Sequence, residues 1–338
     1  MTNSAKVRWG ILGAARILER MLPTIAEDQN SELIAVASRR PDAAAGPIAR
    51  YAPGQAGIRV CPGYEELLDD PDVDAIYLPL ANHEHAEWTL RAVERGKHVL
   101  CEKPMALRVA DITDIEAAAK AHGVLVMEGF MYRFHPQHER VLEIIRSGVI
   151  GEVRQVRASC GFMMRPERLY RLANGVGMGG GAMWDVGCYA VHSARLVMGG
   201  DRPETVIATA RYNDNGADLA TTAVLNFSSN RQAIIEAGFE SARRSEYEVT
   251  GTRGGLRCHR VWLLPNEVPE ISWWTDDGKS CLERLPAANH FKLEVEHFSD
   301  CLLAGKQPLL TPADAKANCH TINAVLQSAA EGRIVALE

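Results

Sequence analysis

Three side chains capable of acid–base chemistry occur at helical spacing in the segment 179–192 (GGGAMWDVGCYAVH). Asp185 and Tyr189 are four residues apart and His192 follows three further on, so a helix places them along one stripe. A tyrosine there can take up the proton of a substrate hydroxyl if a nearby cation holds its phenol near the ionised form. The alternative is a structural role for both residues, in which the tyrosine faces the core and the aspartate caps the helix.

Lys103 lies in the turn Cys101-Glu102-Lys103-Pro104, directly after an apolar run that predicts a buried strand. Residues at the carboxyl end of such a strand face the ligand crevice of an α/β sheet. Pro104 restricts the backbone after the lysine, which suits a side chain that must be aimed. A surface charge is the alternative interpretation.

Gly13 ends the first predicted strand, where a dinucleotide-binding loop of the type GxGxxG would begin. The six positions of that pattern are occupied by Gly13, Ala14, Ala15, Arg16, Ile17 and Leu18. Only the first glycine is present, so a nucleotide site and an ordinary strand-to-helix turn both remain open.

The end of the second predicted strand carries Ser38, Arg39 and Arg40. NAD enzymes place an acidic residue there to accept hydrogen bonds from the adenosine ribose, whereas a guanidinium can bind a 2′-phosphate. If the chain binds a nucleotide, this segment therefore favours NADP over NAD. A solvated pair of arginines is the alternative.

The elements around these residues alternate through the first 128 residues. Apolar runs predict strands at 7–13, 32–38, 58–63, 75–80, 97–104 and 124–130. Helical patterns lie between them, for example at 84–96 and 110–123. This alternation indicates a parallel sheet with helices on both faces.

After about residue 130 the pattern changes. Helices are predicted at 135–148 and 182–200, and the chain from 205 to about 275 consists mainly of strands, the last of them at 255–264. Of two closing helices, the second begins with Thr311 as N-cap and Pro312 at the first helical position, and Gly332 ends it. The sequence therefore predicts two domains, residues 1–128 and 129–338.

The composition excludes several classes of protein. With 37 Lys+Arg against 43 Asp+Glu the net charge is −6, which argues against a nucleic-acid partner. Hydrophobic residues at 46% exclude a disordered chain, and no apolar run is long enough to predict a membrane span. Eight cysteines without a CxxC pair indicate reduced thiols in a cytoplasmic protein. The pairs His83/His85 and His135/His138 lack further metal ligands, so no metal is expected.

Taken together, five stretches resemble the glucose–fructose oxidoreductase, inositol dehydrogenase and rhizopine-catabolism (Gfo/Idh/MocA) family. They are WGILGAARI (9–17), ANHEHAEWTLRAVERGKHVLCEKPMAL (81–107), MEGFMYRFHPQ (127–137), GGGAMWDVGCY (179–189) and HFSDCLLAGKQPLLTPADA (297–315). The resemblance implies a Rossmann domain, that is, a doubly wound parallel sheet, followed by an α+β domain with a large, open, mainly antiparallel sheet. It also implies a nicotinamide cofactor and a sugar, polyol or cyclic diol as substrate.

The resemblance also implies roles for individual residues. Lys103 matches the catalytic lysine of the family and Asp185 the aspartate of its second motif. Tyr189 falls where inositol-dehydrogenase-like members carry histidine. A tyrosine at this position resembles the branch of the family that contains dimeric dihydrodiol dehydrogenase and NADP-dependent xylose dehydrogenase. Ala15 and Leu18 stand where the family usually carries glycines.

Other candidate residues surround this predicted acid–base pair. Cofactor contacts are expected from the turn Gly13 to Ile17 and from Ser38, Arg39, Arg40, Leu80, Asn82, His85, Glu102 and Lys103. Substrate contacts are expected from Arg133, His192 and Trp184, although a tryptophan is more often packed in a core. Arg165, Arg168 and Arg171 are interpreted as a solvated face, with contact to an anion or a sugar as the alternative.

The predicted reaction is the reversible oxidation of a hydroxyl by NADP, with NAD as the alternative cofactor, and with Tyr189 and Lys103 as the acid–base pair. Two alternatives are a glycosidase-like enzyme that retains its NAD and a non-catalytic NADP-binding regulator. The predicted strand 205–212 has no plainly solvated face, so one face is expected to pack on helices and the other on a second subunit. A homodimer or a higher homo-oligomer is therefore expected.

Overall fold

The computed structural model describes residues 6–55, 57–261 and 265–337. The chain divides into two compact units, of which the first comprises the residues up to Phe134 together with His290–Lys316. The second comprises His135–Asn289 and the residues from Ala317 onward. The single predicted boundary between 128 and 129 did not anticipate the return of 290–316 to the first unit. That segment returns because its helix packs on the turn Met131–Phe134 and on the first helix of the chain.

The first unit contains a six-stranded sheet in which all neighbouring strands are parallel. Its order β3-β2-β1-β4-β5-β6 is that of a doubly wound dinucleotide-binding sheet, and all six predicted strands are present. The strands are β1 (Val7–Leu12), β2 (Ser31–Ala37), β3 (Arg59–Cys61), β4 (Ala75–Leu78), β5 (His98–Glu102) and β6 (Val126–Gly129).

The described residues of the first unit form six complete helices. They are α1 (Leu18–Glu27), α2 (Pro41–Tyr51), α3 (Tyr64–Leu68), α4 (His85–Glu94), α5 (Val109–His122) and α8 (His290–Ala304). Short 3₁₀ turns, Asn82–Glu84 and Met131–Phe134, follow β4 and β6. The sequence analysis did not assign α2, whose Gly46 and Pro47 are poor helix formers. Pro41, at its first position, is well placed to begin it.

The second unit contains a nine-stranded sheet in the order β14-β13-β12-β11-β7-β10-β9-β8-β15. Among the described strands of this sheet, β7 and β10 pair in parallel and all other neighbours pair antiparallel, which confirms the predicted mainly antiparallel sheet. The strands are β7 (Val153–Gly161), β8 (Thr205–Tyr212), β9 (Asp218–Phe227), β10 (Arg231–Gly238), β11 (Arg244–Gly251), β12 (Gly254–Cys258), β13 (Glu270–Thr275), β14 (Ser280–Arg284) and β15 (Val335–Ala336). The predicted strand 255–264 ends at Cys258, and its residues 262–264 lie outside the described residues.

Helices α6 (Pro136–Arg146) and α7 (Cys188–Val197) belong to the second unit, and α9 (Pro312–Glu331) ends in it. Helix α7 is almost entirely buried and packs on β7 and β10. Helix α9 begins at Pro312 and is followed by Gly332 at φ +63°, as the sequence predicts. In the part of the chain that the structure describes, no helix has both the length and the apolar character needed to cross a bilayer.

Candidate active site

The turn after β1 is shaped by Gly13, which has φ +118°. A Cβ atom at this position would lie 2.6 Å from the Leu80 side chain, so only glycine fits. Ala14, Ala15, Arg16 and Ile17 follow at least partly exposed, whereas Leu18 is buried at the start of α1. These partly exposed residues thus lead from the end of a strand to the N-terminus of a helix, which is the arrangement that binds a pyrophosphate. These residues fit a dinucleotide, although the third glycine of the usual pattern is a core leucine here.

The turn after β2 places a guanidinium beside Gly13. Ser38 is buried, and its hydroxyl donates to the Arg40 carbonyl at 2.8 Å and accepts from the Arg40 N–H at 3.1 Å. Arg39 lies over the ring of Tyr64, with its Cζ 5.2 Å from the ring centroid. The Tyr64 hydroxyl is 3.8 Å from the point that a Cβ of Gly13 would occupy. Burial raises the pKa of Tyr64, although the Arg39 charge opposes this, so the phenol is neutral at ordinary pH.

The turn that carries Lys103 is fixed by three hydrogen bonds to its neighbours. The Tyr77 hydroxyl donates to Glu102 at 2.6 Å, and the Met105 N–H donates to the buried Glu128 at 2.7 Å. The Pro104 carbonyl oxygen is 2.7 Å from Nδ1 of His85. The Lys103–Pro104 peptide bond is cis. Because its flanking residues are fixed to β4, α4 and β6, the half-buried lysine stands on a rigid part of the sheet.

His85 is buried, and its second ring nitrogen is 3.0 Å from the Leu80 carbonyl oxygen. Burial lowers the pKa of His85, although its contacts to the two carbonyl groups oppose the shift. The neutral ring has one N–H, and the shorter contact assigns it to the Pro104 carbonyl. His85 therefore joins the loop after β4 to the Lys103 turn. Its predicted contact with the cofactor stays a prediction, as does that of the half-buried Asn82.

In the second unit the glycines before the Asp185 segment allow a close approach to Asp218. Gly181 has φ +96°, and a Cβ there would overlap the carboxylate of Asp218. That buried carboxylate accepts the Met183 N–H at 2.9 Å and the Thr221 hydroxyl at 2.7 Å. Burial raises the pKa of Asp218, and the hydrogen bonds from Thr221 and Met183 oppose the shift. Asp218 therefore anchors the start of the helical segment that carries the candidate catalytic side chains.

The predicted regular helix begins as a π-helical turn, Met183–Gly187, and becomes α7 at Cys188. Such turns are frequent at functional sites. Asp185 lies on this turn and accepts a hydrogen bond from Arg171, with which it forms an ion pair. Burial lowers the pKa of Arg171, but the Asp185 charge and the hydrogen bonds to Tyr170 and Asp185 together outweigh it, and the net shift is upward. The interpretation of Arg171 as part of a solvated face was therefore wrong, because this side chain faces the candidate catalytic aspartate.

Tyr189 and His192 lie on α7, and both are buried with little exposed surface. The buried Trp184 donates its indole N–H to the Val176 carbonyl at 3.0 Å, which ties the 3₁₀ turn Val176–Met178 to the π-helical turn. Lys103 and the half-buried Arg133 belong to the first unit, whereas Asp185, Tyr189, His192 and Trp184 belong to the second. The predicted substrate contacts of Arg133, His192 and Trp184 stay predictions.

Sequence reasoning missed Asp218 and Glu84, which contact predicted site residues or the segments that carry them, and it did not pair Arg171 with Asp185. Asp218 and Glu84 meet their partners from separate elements of the chain, which no local spacing indicates. A cluster of three His, Cys, Asp or Glu side chains suited to a metal ion is not found among the described residues.

A doubly wound sheet with an open glycine turn and a fixed lysine at a strand end defines a dinucleotide-binding protein. Residues 7–130 match the family model described as "Oxidoreductase family, NAD-binding Rossmann fold", and residues 138–257 match the GFO/IDH/MocA C-terminal domain. The chain belongs to the Gfo/Idh/MocA family and is an oxidoreductase, which confirms the resemblance seen in the sequence.

Several characterised proteins are similar to this chain along nearly its whole length. D-xylose 1-dehydrogenase (NADP(+)) 2 of Haloferax volcanii is 34% identical, covering 98% of this chain and 99% of the relative. Trans-1,2-dihydrobenzene-1,2-diol dehydrogenase of Xenopus laevis is 30% identical, covering 91% and 94%. A 3-ketoreductase from Actinomadura kijaniata, solved as a crystal structure with NADP and TDP-benzene, is 33% identical in sequence. Its structure matches with a TM-score of 0.87, covering 96% of this chain and 98% of that chain.

Proposed function

We propose that this enzyme uses NADP to interconvert a hydroxyl and a carbonyl group on a sugar, a polyol or a cyclic diol. The fixed Lys103 turn at the crevice end of the parallel sheet is the observation that carries the proposal. Similarity to a xylose dehydrogenase and a dihydrodiol dehydrogenase supports this substrate class. NAD is the weaker alternative cofactor.

The cofactor, when bound, accepts or donates the hydride. The backbone from Gly13 to Ile17 would hold its pyrophosphate, and Arg39 and Arg40 after the Ser38 turn would hold the 2′-phosphate. Leu80, Asn82, His85 and Glu102 would border its nicotinamide half. This assignment of residues rests on their places at the carboxyl ends of β1, β2, β4 and β5.

The chain's own residues would handle the proton. A free phenol has a pKa of about 10. In the proposal, the Lys103 ammonium lowers the pKa of Tyr189, so that Tyr189 can accept the proton of the substrate hydroxyl. Asp185, paired with Arg171, would accept a hydrogen bond from the substrate and orient it. Arg133, His192 and Trp184 would shape the substrate side of the site.

A screen of aldoses, polyols and cyclic diols with NADP and with NAD tests this function. We expect a sustained change in the absorbance of the reduced nicotinamide with at least one of these substrates. Glycoside cleavage without net cofactor turnover would indicate a glycosidase-like enzyme. Cofactor binding without any turnover would indicate a regulator.

We further propose a cytoplasmic homodimer or higher oligomer. No disulfide bond is found in the described part of the chain, which suits a reducing compartment. On β8 the residues Val206 and Ala208 are buried, whereas Ile207 on the other face is 43% exposed. On that face, one row of aligned residues crosses neighbouring strands of the sheet. Its first three side chains are apolar and the next three alternate in charge: Ile207, Val224, Ile234, Arg157, Glu248 and Arg257.

Such a row can pair with its own copy about a two-fold axis. Light scattering at micromolar concentration should give at least twice the chain mass of 37.1 kDa. A monomeric mass would contradict the oligomer and leave the proposed reaction intact.

A further inference from the structure

The adenosine end of the crevice contains a carboxylate that its own strand does not supply. The turn after β2 holds only Ser38, Arg39 and Arg40. Glu84, from the 3₁₀ turn after β4, approaches it, and its Oε1 lies 3.1 Å from Nη1 of Arg39. The Glu84 side chain is 18% exposed and the Arg39 side chain 65% exposed. The carboxylate is thus the more enclosed partner of the pair, and the guanidinium is the more accessible of the two to a ligand.

Tyr64 helps to place this ion pair at the nucleotide turn. Its neutral ring lies under the Arg39 guanidinium, and its hydroxyl borders Gly13. A cation over a ring face is attracted to it, so Tyr64 favours the position in which Arg39 faces Glu84. The described contacts therefore put a positive and a negative charge together where the adenosine ribose is expected.

The two charges have opposite preferences among cofactors. A guanidinium binds the 2′-phosphate of NADP, whereas a carboxylate repels it. A carboxylate can instead accept a hydrogen bond from the ribose 2′-hydroxyl of NAD, the role usually filled at the end of the second strand. An arginine that also pairs with a carboxylate has fewer donors left for a phosphate.

We propose that Glu84 is a specificity-determining residue that limits the preference for NADP over NAD. The inference rests on the proposed nucleotide site. In this account Arg39 favours the binding of NADP and Glu84 favours the binding of NAD. An enzyme with both residues is therefore not strictly specific for either cofactor. Removing one partner moves the preference toward the cofactor favoured by the other.

Direct binding of NADP and NAD to the full chain, measured by isothermal titration calorimetry, tests this proposal without relying on turnover. In Glu84→Gln we expect the ratio of the Kd for NAD to the Kd for NADP to rise about tenfold, since one charged interaction changes. In Arg39→Gln we expect the same ratio to fall by about ten- to a hundredfold.

Glu87→Gln is the matched control, because Glu87 is an exposed carboxylate on the next helical turn that pairs with Arg91 instead. It should leave the ratio within about twofold of the wild type. Glu84→Ala provides a second removal of the carboxylate and should shift the ratio in the same direction.

An unchanged ratio in both Glu84 variants would overturn the proposal, and so would a shift toward NAD. A wild-type protein that binds neither cofactor would instead overturn the proposed function on which the inference rests. Binding that shifts in Arg39→Gln but not in the Glu84 variants would leave the NADP site standing and remove Glu84 from it.

Discussion

The Lys103 turn and the Asp185–Tyr189 segment are positioned by different kinds of contact. Around Lys103 the backbone is fixed from adjacent strands of one parallel sheet, and the imidazole that takes part, His85, is buried and neutral. Around Asp185 the positioning groups are a carboxylate, Asp218, and a guanidinium, Arg171, which reach in from separate segments. Carboxylates take part in both arrangements, Glu102 and Glu128 in the first and Asp218 in the second. The first arrangement adds a buried, neutral imidazole, and the second adds a partly exposed guanidinium.

This difference predicts how each region responds to change. Buried, neutral contacts are sensitive to protonation, since a charge in the interior must be desolvated. Charge-assisted contacts are stronger than neutral ones, and removing one partner leaves the other poorly compensated. The buried imidazole should therefore make the first region the more sensitive to acid, and in the second region the loss of Asp218 or Arg171 should displace the segment that each of them positions.

The largest effect is expected at the acid–base pair itself. Tyr189→Phe keeps the ring in the core and removes only the hydroxyl, so the melting temperature should change little. If the phenol relays the proton, kcat should fall by about 10²- to 10⁴-fold. Cofactor Kd should hardly change. A variant with near-normal kcat on its substrate would remove Tyr189 from the mechanism and leave His192 or Asp185 as the next candidate.

Asp218→Asn should give the next largest effect, because it replaces the carboxylate that anchors the start of the π-helical turn. Losing charge-assisted bonds in a buried site should lower the free energy of unfolding by about 1–3 kcal/mol. kcat should fall with KM less affected, since the displaced residues are the ones proposed to be catalytic. Asp214→Asn, at an exposed loop position, is the control and should resemble the wild type in both measurements. Equal behaviour of the two variants would contradict the anchoring role.

Arg171→Gln tests the ion pair on the Asp185 side. Because Arg171 is partly exposed, its loss should cost little stability, while kcat/KM should fall about tenfold through a misplaced Asp185. Arg171→Lys keeps the charge and should recover part of the activity. Arg165→Gln changes an exposed arginine of the same loop and serves as the control. If Arg165→Gln proved as harmful as Arg171→Gln, a general charge effect would replace the specific pair.

The smallest effect is expected from acid acting on the Lys103 region. Burial lowers the pKa of His85 in the folded chain, so the unfolded chain binds a proton first as the pH falls below about 6.5. This contribution to stability is complete above that pH and is lost as the pH falls toward the folded pKa. Thermal unfolding should therefore show a flatter pH dependence in His85→Gln than in the wild type. His122→Gln, at an exposed helix end, should keep the wild-type dependence, and a His85→Gln profile as steep as the wild type would contradict this account.

The sequence predicted the first region better than the second, for a physical reason. Local apolar runs and turn residues predict the six parallel strands and the turns that carry Gly13 and Lys103. The contacts of Asp185 with Arg171 and of Met183 with Asp218 join residues 14 and 35 positions apart, which no local pattern encodes. The sequence did not predict the π-helical turn either, because the spacing of four residues between Asp185 and Tyr189 fits an ordinary α-helix. Glu84 was missed because it reaches Arg39 from a different strand end.

The central claim is that Lys103 and Tyr189 act as one unit, and the kcat of the double variant Lys103→Met/Tyr189→Phe tests it most directly. Lys103→Met alone should cost at least as much as Tyr189→Phe, because in the proposed mechanism the remaining phenol loses the charge that lowers its pKa. If the two residues form one acid–base device, the double variant should fall about as far as the worse single variant. A loss equal to the product of the two single losses would show that they act independently and would contradict the mechanism.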